Sequence, residues 1–69
     1  MNKFKVLRVA NGRLEQLAEF DNEADAVDLA DRAKYMLPFV FKDDGSSDFA
    51  SLSIDGVLKH AIRVVGHRV

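Results

Sequence analysis

Sixty-nine residues with no cysteine, 48% hydrophobic and 30% charged, at a formal net charge of −1, describe a small globular domain. The missing cysteines exclude disulfides, zinc ribbons and thiol chemistry, and the near-neutral balance supplies no overall field to draw in nucleic acid or an anionic membrane. A chain of this size buries only about 60% of its unfolded surface, so self-association is the remaining way to enlarge a small core.

Residues 3–10, Lys-Phe-Lys-Val-Leu-Arg-Val-Ala, set β-branched and aromatic side chains near period two. Asn11-Gly12 follows, a strong hairpin signal because both positions tolerate positive φ, and residues 13–20 read as the return strand. A two-residue loop would pair Val9 with Leu14 and Arg8 with Glu15. A three-residue loop with Gly12 left-handed gathers Phe4, Val6, Leu14, Ala18 and Phe20 on one face and sets Lys3 opposite Glu19. Its cleaner inner face makes it the preferred register, and on it Leu7, Val9 and Leu17 point outward.

Asp21 or Asn22 then caps a helix, with Phe20 placed as a hydrophobic staple. Glu23–Met36 contains neither Gly nor Pro. Its apolar stripe of Ala26, Leu29, Ala30, Ala33, Met36 and Leu37 recurs at spacings of three and four, and its alanines allow close approach to a sheet. Acids crowd the first turns, with Arg32 and Lys34 toward the far end, as the helix dipole favours. Pro38 stops the helix near Tyr35 or Met36.

Phe39-Val40-Phe41 suits a third strand, and Lys42–Asp48 is a polar loop. Phe49–Ile54 and Val57–Val65 read as two further strands around Asp55-Gly56. An odd loop with Gly56 left-handed places Leu52 opposite Leu58 and Ala50 opposite His60. Ile62 and Val64 join that inner face, while Ser51, Ser53, Lys59 and Arg63 face out. The predicted fold is α+β: one domain over residues 1–69, ordered ββαβββ, with a mostly antiparallel sheet of about five strands and one amphipathic helix on one face.

Catalytic and metal motifs are not found in the sequence. His60 falls among apolar neighbours with no nucleophile or second ligand placed beside it, and His67 lies in the last three residues. The serines lack a nucleophile-elbow context. Asp43, Asp44, Gly45, Ser46, Ser47 and Asp48 have the composition of a cation loop without the alternating ligand spacing of an EF-hand. Single scattered glycines do not build a phosphate cradle. A non-enzymatic protein without cofactor or metal is therefore expected. The opening residues run straight into the first strand pattern and no apolar run reaches the roughly 20 residues of a membrane span, so a cytoplasmic, non-membrane location is expected.

Charge is unevenly placed along the chain. Residues 21–48 hold eight of the eleven acids and three of the ten bases, a net of −5, which leaves +4 for the remainder. Glu23, Asp25, Asp28, Asp31, Asp43 and Asp44 are the candidate partner-binding face, suited to a protein with a basic surface. Leu7, Val9 and Leu17 form the candidate self-association patch of a homodimer. A sharper expectation is an inhibitor of a basic nucleic-acid-handling machine, carried by a phage or mobile element, of the anti-CRISPR or anti-restriction type. The alternative is a nucleic-acid-binding module using Lys3, Lys5, Arg8 and Arg13 on the first hairpin. Glu15 and Glu19 on the same strands, and few stacking aromatics, weigh against it.

Overall fold

Backbone pairing begins at the Asn11-Gly12 turn, where φ is 54° at Asn11 and 75° at Gly12, so both central residues are left-handed. Two consecutive left-handed residues suit the two-residue hairpin turn whose twist matches the flanking strands. The computed structural model describes residues 3–43 and 53–65. In chain order it contains β1 (Lys3–Ala10), β2 (Arg13–Phe20), α1 (Glu23–Arg32), a 3₁₀ turn (Lys34–Met36), β3 (Phe39–Asp43), α2 (Ile54–Lys59) and β4 (Ala61–Val64). The four described strands form one sheet in the order β2-β1-β3-β4, with every neighbour antiparallel.

The first hairpin corrects the preferred register. Next to the turn Val9 pairs with Leu14 and Arg8 with Glu15, as a two-residue loop requires. Beyond Leu7–Gln16 the ladder slips by one residue, and Val6 faces Ala18, Lys5 faces Glu19 and Phe4 faces Phe20. The extra residue is Leu17. A bulge of this kind reverses which face the rest of the strand presents. It therefore reconciles a tight turn with an apolar inner face, which an unbroken ladder could do only by lengthening the loop.

α1 is capped by Asn22, whose Oδ1 accepts from the Asp25 N–H at 2.8 Å while its Nδ2 donates to Asp25 Oδ2 at 2.9 Å. Ala26 and Ala30 are fully buried, so the helix axis lies close over the sheet. The helix ends at Arg32, and the 3₁₀ turn carries the chain to Leu37, left-handed at φ 54°, ahead of Pro38. An α conformation is disfavoured before proline, which helps to terminate the helical run there.

The last predicted hairpin is also corrected. Asp55-Gly56 lies inside α2, not in a turn, and residues 44–52, which hold the polar loop tip and most of the expected fourth strand, are outside the described residues. Ser53 caps this helix: its Oγ accepts from the Gly56 N–H at 3.0 Å, with Asp55 in the first turn and Lys59 in the last. Ile54, Val57, Leu58 and Ala61 have helical spacing, and Val57 is fully buried. His60 is exposed at the helix C-terminus, where its backbone N–H reaches the Val57 carbonyl at 3.1 Å; it is not a core residue. Replacing Ser53 by alanine is expected to cost about 1 kcal/mol and to lower Tm by roughly 4–8 °C. Thermal melts followed by circular dichroism would measure it, and an unchanged Tm would argue for the uncapped hairpin.

Two apolar clusters result, one on each side of the sheet. On the α1 side Val6, Val40 and Val65 pack with Ala26 and Ala30, flanked by Phe4, Leu17, Phe20, Val27 and Leu29. On the other side Leu7, Phe39, Phe41 and Val57 pack together, flanked by Leu14 and Ala61. The expected single covered face is therefore replaced by two. Strand alternation makes this inevitable once both neighbours in Phe39-Val40-Phe41 are buried, because they point to opposite faces.

Candidate functional site

The acids of α1 start from helix-capping chemistry. Glu23 and Asp25 occupy the first turn, where carboxylates favour the exposed N–H groups, and Asp28 and Asp31 follow on the solvent side. All four are exposed. Two guanidiniums answer them. Arg32 Nη2 lies 2.6 Å from Asp28 Oδ2 one turn away, and Arg63 Nη2 reaches from β4 to Asp31 Oδ1 at 3.4 Å. Both pairs are open to solvent, where such contacts are individually weak. Four carboxylates against two guanidiniums leave the flank negative.

Beside this flank lies an open groove between α1 and β4, bordered by Glu23, Asp28 and Asp31 with Val27, Ile62 and Arg63. A second irregularity builds its far wall. β3 pairs Val40 with Arg63 and Phe41 with Ala61, so Ile62 is the extra residue of a bulge in β4. The bulge brings both Ile62 and Arg63 to the α1 side. Ile62 is 41% exposed and Val64 43%, two large aliphatic side chains on a four-residue strand.

The predicted acidic face is gathered only in part. Glu23, Asp28 and Asp31 border the groove and Asp25 sits at the helix cap beside it. Asp43 ends β3 on the opposite side of the sheet, where it pairs with Lys5 Nζ at 3.7 Å. Asp44 lies outside the described residues. The self-association residues are likewise dispersed. Leu7 is fully buried under α2, Leu17 is half-buried against the first cluster, and Val9 alone is largely exposed, at 43%. The outward placement of Leu7 and Leu17 is thus corrected: α2 covers the second face, and the bulge turns Leu17 toward α1.

The basic set is divided as well. Lys5 stands on the α2 side with Nζ at 3.4 Å from Glu19 Oε2, whereas Arg8 stands on the α1 side with Nε at 2.7 Å from Glu15 Oε1. Arg13 is exposed beside the turn, and Lys3 opens β1. Lys5 and Arg8 therefore do not share one cationic surface.

Sequence reasoning missed Val27, Ile62 and Arg63 as groove residues. The helical spacing of Ile54, Val57, Leu58 and Ala61 would have shortened the last strand to its observed start. The bulge at Ile62 had no local signal, since Gly and Pro are absent from Ala61–Val64. Among the described residues there is no cluster of three or more His, Cys, Asp or Glu suited to a metal ion, no polar or charged side chain is buried, and no helix is long and apolar enough to cross a membrane. Compared with known proteins, the chain matches no family model, no curated protein and no solved structure.

Proposed function

We propose that the chain is a small non-enzymatic protein-binding module whose α1 flank, with the groove beside β4, engages a basic surface of a partner protein. The observation that carries the reading is the juxtaposition of exposed Glu23, Asp28 and Asp31 with the aliphatic Val27 and Ile62. Apolar surface supplies the favourable area, and unbalanced carboxylates select the sign of the partner. Inhibition of a basic nucleic-acid-handling machine is the form of this function that best suits an acidic flank on so small a scaffold. The nucleic-acid reading draws less support, because Lys5 and Arg8 are already paired with carboxylates and lie on opposite sides of the sheet.

Simultaneous Asp25→Lys, Asp28→Lys and Asp31→Lys substitution is expected to weaken partner binding about 100-fold, near 3 kcal/mol for three reversed charges at an interface. Titration of a purified partner against both proteins would measure this, with circular dichroism to verify that α1 persists. Equal affinities would remove the acidic flank from the binding surface.

A further inference from the structure

β4 is the outermost described strand on its side of the sheet, and no described strand pairs with its outer edge. Soluble proteins usually blunt such an edge with charge, proline or a bulge that twists it away. The opposite edge follows that rule, because β2 carries exposed Arg13, Glu15, Gln16 and Glu19. β4 departs from it. Its residues are Ala61, Ile62, Arg63 and Val64, and its single charge is turned to Asp31 on α1. The two exposed aliphatic side chains stand on opposite faces: Ile62 borders the α1 groove, while Val64 pairs in register with Phe39 of the α2-side cluster.

We propose that the outer edge of β4 receives an extended segment of a partner protein, with Lys or Arg alternating with aliphatic residues, as an added strand. This deepens the acidic-flank reading and rests on it for the sign of the charge. Side chains of an added strand alternate between faces. Those turned to α1 meet Glu23, Asp28 and Asp31, and the stems of Lys or Arg can lie on Val27 and Ile62 while their heads reach the carboxylates. Those turned away extend the apolar surface of Val64. Backbone pairing gives such a contact its affinity and the alternate side chains give it specificity.

A second copy fits this edge poorly. Joining two β4 edges antiparallel in one continuous sheet places the two-fold axis perpendicular to the sheet, so both α1 helices lie on the same face. The two acidic flanks would then confront one another, and like charges brought together at an interface are unfavourable. A basic strand meets the same edge without that repulsion.

The test uses the 69-residue chain and a capped ten-residue peptide of alternating Lys and Val. Two versions N-methylated in alternate frames remove the donors from one peptide edge or the other, and a third carries Glu in place of Lys. One methylated frame is expected to weaken binding at least about tenfold while the other stays within about twofold, since only one peptide edge can pair. The Glu peptide is expected to lose at least about tenfold, and the parent peptide to slow amide exchange in β4. Equal binding by both frames, with charge dependence kept, overturns strand addition and spares the acidic flank. Frame dependence without charge dependence overturns the acidic flank instead. Absence of binding by every peptide overturns both, and a dimer by sedimentation that competes with the peptide overturns a heterologous occupant.

Discussion

Phe39→Ala is expected to cost about 3–5 kcal/mol, the range for emptying a buried aromatic site. Phe39 is 1% exposed at the centre of the α2-side cluster, and β3 is an interior strand of the sheet, so the cavity cannot be closed by movement of an edge. A chain of 69 residues has a total stability of roughly 3–10 kcal/mol. The substitution therefore removes a large part of the folding free energy. Urea titration at matched temperature would measure it. A loss under about 1 kcal/mol would show that this face of the sheet is not a packed core.

Leu7→Ala carries the second large effect, about 2–5 kcal/mol, and tests most sharply whether α2 covers the second face of the sheet. With Leu7 pointing into solvent, its truncation would be nearly neutral. Beneath α2 it is fully buried opposite Phe39 across β1 and β3. Val9→Ala, two residues along the same strand and 43% exposed, is the internal control and should stay within about 1 kcal/mol. Because Leu7 and Phe39 touch the same cluster, their effects should not add. A double-mutant cycle is expected to return a coupling of about 0.5–3 kcal/mol, and strict additivity would separate the two side chains into different environments.

The acidic flank was legible before the fold because it follows from local chemistry. Carboxylates belong at a helix start, and the spacing of Ala26, Leu29 and Ala30 sets which side of that helix turns inward, leaving Glu23, Asp25, Asp28 and Asp31 on the other. The groove beside it was not legible. It needs Ile62 and Arg63 on the same side of β4, which a regular strand forbids, and the bulge that allows it depends on pairing with β3. Asp43 shows the complementary error. Closeness in sequence to the acidic helix suggested a shared face, yet the end of β3 sets it on the opposite side of the sheet against Lys5.

By itself the sequence determined the α+β class, the Asn11-Gly12 turn, the helix capped at Asp21 or Asn22 with its inward alanines and the strand at Phe39-Val40-Phe41. Each rests on signals within a few residues: left-handed tolerance, a side-chain cap, a 3.6-residue stripe and a dense apolar run. Tertiary structure decided the rest. Asp55-Gly56 fits a hairpin turn as well as a capped helix, and burial of Val57 against the Phe39 face settles it as α2. Leu17 and Ile62 are ordinary strand residues in isolation, and only competition between turn geometry, apolar inner faces and neighbouring strands makes them bulges. Each bulge shifts register by one residue and so exchanges core for surface beyond it. That is why the groove beside α1 came from the assembled sheet, while the burial of Leu7 came from α2 packing on the second face.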